Sequence, residues 1–207
     1  MELYLSQFIT LMIAHVLAMA SPGQDFALIL KYSVSYGRKI GRATALGIGS
    51  GILVHAAYTV LGLSFIIYRS PTAFMVLRLL GGAYLIFIGL KAWLGKHSPL
   101  NGENNPEKKE PTLKESYLTG FFTNVLNPRV TLFFLAIFTA IVSIETPPLI
   151  KMGYGAVMSF LTMLWFGLLA TLLSLPKIRE GFLKAGIWFD RIMGSVLLIL
   201  GIKLIFF

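Results

Sequence analysis

Two short stretches of this sequence hold the residues best able to do chemistry. In Ser21-Pro22-Gly23-Gln24-Asp25 a carboxylate follows a proline and a glycine, and in Asn124-Val125-Leu126-Asn127-Pro128-Arg129 a guanidinium directly follows a proline. Proline removes a backbone donor and clashes with the preceding helical turn, and glycine loosens the turn further. Pro22, Gly23 and Pro128 therefore predict two helix breaks, each with freed backbone groups beside one charge. A carboxylate suits an ammonium group or a proton, because its protonation responds to burial and to nearby charge. A guanidinium stays charged and suits a carboxylate. Asp25 and Arg129 together would hold the two ends of a zwitterion, with the amides of a half-helix start near Asn127 as a second anion site. Gln24, Asn124 and Asn127 add carboxamides beside the breaks; the asparagines equally suit the capping of broken helix ends.

The remaining candidates are weaker. His15 and His55 fall in apolar stretches and titrate near neutral pH, which suits a proton relay; a hydrogen-bonded packing role suits them as well. Trp165, Tyr58 and Tyr84 are interior aromatics, able to line a passage or to fill a core. The three histidines form no metal-binding spacing, and the chain has no cysteine, so no metal or cofactor is expected. No nucleotide-binding loop, dinucleotide fingerprint or nucleophile motif is present, so neither an ATP-driven pump nor an enzyme is expected.

Positioning these residues falls to elements that are themselves apolar. Of 207 residues, 56% are hydrophobic and 13% charged, against about 25% charged in soluble domains. Mean hydropathy is +0.77. A bilayer-crossing helix needs about 20 mostly apolar residues. Six stretches qualify: 3–24, 43–68, 70–90, 116–144, 152–176 and 187–207. The start of the first resembles a signal peptide only poorly, since it carries Glu2 and no basic residue. The net charge of +9 has a topological reading. Thirteen Lys and Arg fall in the first, third and fifth loops, which places those loops in the cytoplasm and both termini outside. A nucleic-acid partner is not expected, because no basic face sits on a soluble fold. Asp190 reads as the acidic start of the last helix. Gly37, Gly41, Ala45 and Gly49, like Gly47 with Gly51 and the Gly81-Gly82 pair, read as small residues for close helix packing.

Three spans, a polar linker and three more spans imply an all-α, polytopic membrane protein built from two halves. The first repeat covers 1–94, the cytoplasmic linker 95–115 and the second repeat 116–207. With an odd number of spans each, the halves would be inverted in the membrane, with helices 1 and 4 broken at matching positions. That is the plan of many secondary transporters, whose sites lie near the midplane at such breaks.

On these residues the chain resembles the LysE/RhtB family of bacterial amino-acid exporters, its threonine-exporting members in particular. The resemblance runs from His15 through Ser21-Pro22-Gly23-Gln24-Asp25-Phe26, across Gly120 to Phe134, then Leu175-Pro176 through Trp188, Asp190 and Gly194 to Gly201-Ile202. Gln24 stands where the family pattern usually has a second proline, and Arg129 where it usually has lysine. The resemblance implies a six-helix inner-membrane exporter of a small neutral amino acid, working by proton exchange and forming a homodimer. Alternatives are export of another small metabolite, a basic amino acid or a cation, although a cation site would need more acids than Asp25. A membrane-embedded enzyme or a non-transporting membrane protein remain the readings from other classes.

Overall fold

The computed structural model describes residues 2–21, 23–94 and 110–206, and among them every regular element is a helix. Pro22 lies outside the described residues, as do 95–109 of the linker. In order the helices are α1 (Glu2–Ala20), α2 (Gln24–Arg69), α3 (Pro71–Leu94), α4 (Leu113–Val125), α5 (Pro128–Ile141), α6 (Pro148–Leu172) and α7 (Pro176–Phe206). Their ends follow local chemistry. Proline opens α3, α5, α6 and α7, where its missing donor costs nothing. A capping box opens α4: the Thr112 hydroxyl accepts from the Glu115 amide at 3.2 Å, and Glu115 Oε2 accepts from the Thr112 amide at 2.7 Å.

Among the described residues, three helices, α1, α2 and α6, are long and apolar enough to cross a membrane; α4 and α5, bent by 55° across their break, make a fourth if taken together. Within α7, Gly194–Phe206 is a shorter apolar stretch among the described residues. Two segments expected to be loops are helical. Residues 31–42 belong to α2, and α7 starts at Pro176 rather than at 187, continuing through the basic stretch. Asp190 therefore lies inside a helix and not at an N-terminus. Charged residues spaced along an amphipathic helix have the same composition as a charged loop, which is why the sequence alone did not separate them.

Gly37 also departs from its expected role. It has φ 81° and ψ 175° and bends α2, and a methyl group placed there would meet nothing within 4 Å. It is a joint and not a packing residue. Any other residue there would hold a conformation costing on the order of 1–3 kcal/mol. The other glycines of the second helix's row, and those of α3, do pack. A methyl on Gly41 or Gly49 would strike α6 at Ala170 or Met163; on Gly47 or Gly51 it would strike α4 at Tyr117 or Asn124. Gly89 meets the Gly194 carbonyl and Gly82 the Gly201 carbonyl, so α3 and α7 approach through two facing glycine pairs seven residues apart. Arg78, a cation inside a predicted span, donates from Nε to the Leu204 carbonyl at 2.7 Å and so caps the end of α7.

Two apolar clusters surround the breaks. One joins α1, α5 and α7 through Leu11, Phe134, Phe138 and Leu197 with Leu85 of α3 and Met158 of α6. The other sits between α2 and α6 around Phe26, Ile29, Ile48 and Leu169. Many large apolar side chains face outward, Leu149, Leu126, Leu61 and Phe160 among them. An apolar exterior of that extent is stable against lipid and not against water.

Candidate functional site

The two breaks meet. α1 ends at Ala20 and α2 begins at Gln24; α4 ends at Val125 and α5 begins at Pro128. Between them lies a cavity of about 70 Å³, onto which Ser21, Gly23, Gln24, Asp25, Asn127 and Arg129 open. At roughly 30 Å³ per water in the liquid, this is room for about two waters. Apart from His15 and Thr162, its remaining walls are apolar, with Phe133, Phe134 and Phe166 prominent.

Asp25 stands in the first turn of α2. Its Oδ2 accepts from Asn124 Nδ2 at 2.8 Å. The Asn127 carboxamide also comes near the carboxylate, and Arg129 lies close enough to act on it electrostatically. Its Oδ1 is buried and accepts no hydrogen bond, and the same is true of Asn124 Oδ1. Two acceptor oxygens with unused lone pairs, one on a carboxylate, are rare in a folded interior and call for a donor.

Arg129 enters from the other break. Its Nη2 donates to Ser21 Oγ at 3.2 Å, tying the α5 start to the α1 end. The Tyr84 hydroxyl donates to its backbone carbonyl at 3.4 Å. A methyl group on Gly23 would lie 2.8 Å from Arg129 Nη1, so glycine leaves the guanidinium its seat. Asn127 is the N-cap of α5: its Oδ1 accepts from the Arg129 amide at 3.0 Å. The next two amides, of Val130 and Thr131, bond the Asn127 carbonyl at 3.1 Å each. The backbone amides expected as a second anion site are thus occupied, and the charged donor on the cavity is the Arg129 side chain.

Other expected residues separate. His15 lines the cavity. Its Nε2 faces the Met158 carbonyl at 3.1 Å and Thr162 Oγ1 at 2.9 Å, so that nitrogen carries the hydrogen. His55 and Asn124 stand behind the cavity wall: His55 Nε2 donates to the Asn124 carbonyl at 3.0 Å. The two imidazoles flank Phe134, with ring centroids at 6.1 and 5.7 Å from it. Trp165 does not line the cavity; it packs on the Phe26–Ile48–Leu169 cluster, because its face of α6 turns toward α2. Pro128 is exposed at the first position of α5. Thr162 and Ser21 were not foreseen as site residues. Thr162 is one of several hydroxyls in a charge-free stretch, and its partner His15 is 147 residues away. Among the described residues no group of three or more metal-ligating side chains gathers.

The LysE type translocator family profile matches residues 16–206. The chain is 30% identical over 199 residues to the threonine efflux protein of Salmonella typhi, covering 96% of this chain and 97% of that one. It is 30% identical over 200 residues to the threonine efflux protein of Escherichia coli K12, with the same coverage. It is 29% identical over 191 residues to the uncharacterized membrane protein YrhP of Bacillus subtilis, covering 88% of this chain and 90% of that one. No solved structure matches it significantly.

Proposed function

The chain belongs to the LysE type translocator family, and from that premise we propose that it exports a small neutral amino acid, threonine or homoserine in kind, across a bacterial inner membrane in exchange for protons. One observation carries the site: Asp25, whose buried Oδ1 accepts no hydrogen bond, lines the same cavity as Arg129. The carboxylate takes the substrate ammonium and the guanidinium takes its carboxylate. A charge deep in a membrane costs several kcal/mol unless paired or hydrated, so Asp25 favours either a proton or an ammonium. The two compete for the same oxygens, which is the requirement of antiport.

In this reading there are six crossings. They are α1 with the 24–36 arm of α2, the rest of α2, α3, the α4–α5 pair, α6 and α7. The two halves are inverted, both termini lie outside, and each break serves one half. The residue pairs support the symmetry: α2 packs on α6, its counterpart in the second half, and α3 on α7.

The direct test is efflux of labelled threonine, homoserine, leucine and lysine from cells with and without the protein. Selective loss of threonine or homoserine from producing cells, reduced when the proton gradient is collapsed, is the expected result. Selective lysine efflux overturns the neutral substrate, and no efflux with the protein present in the membrane overturns amino-acid export. A finer expectation concerns Gly23→Ala. The added methyl displaces only the far end of a flexible side chain, so stability should change by about 0.5 kcal/mol or less. The KM for a carboxylate-bearing substrate should rise several-fold, and a thermal melt beside a transport titration separates the two.

A further inference from the structure

We infer that His55 is a positioning residue, which holds the α4–α5 break in shape and through it aims Asp25, and that it is not a proton carrier. The inference rests on the reading of Asp25 as the substrate carboxylate. His55 is fully buried on α2. Its Nε2 donates to the backbone carbonyl of Asn124, the same residue whose Nδ2 holds Asp25 Oδ2. That carbonyl also takes the Asn127 amide across the turn, at 2.9 Å. The other ring nitrogen, Nδ1, meets the Tyr58 hydroxyl one helical turn on. Tyr58 in turn meets the side chain of Thr131, past the break, and the Thr131 hydroxyl donates to the Asn127 carbonyl at 3.3 Å.

His55 and Tyr58 therefore grip the broken helix from both sides of its gap. Carbonyls freed by a break inside a membrane need donors, and His55 supplies one to Asn124. The contact also argues against proton transport by this route. A backbone carbonyl and a carboxamide separate His55 from Asp25, and neither passes on a proton as a hydroxyl or an imidazole does.

The test compares His55→Leu, which removes the donor, with His55→Gln, which keeps a side-chain N–H but cannot titrate, and adds Tyr58→Phe. Two quantities are read: the KM and pH profile of export, and the alkylation rate of a single thiol at Val130→Cys. Val130 lies on the cavity wall just past the break, and the chain has no cysteine of its own. The expected result for His55→Leu is a KM raised about tenfold and an alkylation rate changed several-fold, with the pH profile unmoved. His55→Gln should restore both values, and Tyr58→Phe should give a smaller shift in the same direction.

The inference falls if His55→Gln is as impaired as His55→Leu and flattens the pH profile, since titration would then be what matters. It falls equally if His55→Leu matches the wild type in both readouts. Should the wild type export none of the amino acids tried, the alkylation rates alone decide: a change with leucine, reversed by glutamine, keeps His55 in its role while the export reading is lost. If His55→Leu does not fold, the glutamine and Tyr58→Phe variants decide in the same way.

Discussion

Asp25→Asn is expected to abolish export while leaving the protein folded in the membrane. The substitution keeps size and shape, and the new carboxamide oxygen can still accept from Asn124 Nδ2 where Oδ2 does now. What it removes is the charge that an ammonium or a proton would answer. Truncating one partner of a buried, hydrogen-bonded charge pair costs about 2–5 kcal/mol, or roughly 30-fold to several-thousand-fold in affinity. The lower end already takes a small substrate out of its working range. Efflux of labelled substrate, normalised to protein in the membrane fraction by immunoblot, checks it. Full export by the variant would remove Asp25 from the mechanism and with it the exchange for protons.

The second large effect belongs to Arg129→Gln. If the guanidinium holds the substrate carboxylate, its loss should raise the KM for an amino acid by about 10- to 100-fold, the worth of one charge-assisted hydrogen bond. It should leave the ammonium subsite alone. A decisive comparison pairs the amino acid with the amine of the same side chain that lacks the carboxylate. The wild type should prefer the amino acid, and the variant should lose that preference. Arg129→Lys, which keeps a charge but not the fork, should retain much of it. An unchanged preference in Arg129→Gln would mean that the carboxylate binds elsewhere, and the capped amides of α5 leave few other donors on the cavity.

The breaks were legible in the sequence because proline acts on its own neighbours: no distant residue is needed to know that a helix stops before Pro128. The convergence of Asp25, Asn127 and Arg129 on one cavity could be anticipated only by supposing that the two breaks meet. What stayed illegible depends on facing. In a helix as apolar as α6, composition does not say which face turns to the cavity. Trp165 could therefore be read as a lining or a core residue alike, and nothing singled out Thr162. Gly37 was hidden by its company, since glycines four apart read as a packing row whether or not the first of them bends the chain. The helical runs through 31–42 and 176–186 were hidden by charge, which marks a loop and a charged run of helix alike.

The bend at Gly37 has a mechanical consequence. From Gly37 back to Asp25 is twelve residues, about 18 Å of helix at 1.5 Å each. A swing of about 10° at the bend carries the end of that lever through about 3 Å, the length of one hydrogen bond. Rotation about that glycine would part the carboxylate from Asn124 with the lever's own backbone bonds kept, against the packing of Phe26 and Ile29 on α6. The long arm beyond the bend, anchored by its small residues on α6 and α4, serves as the fulcrum's mount.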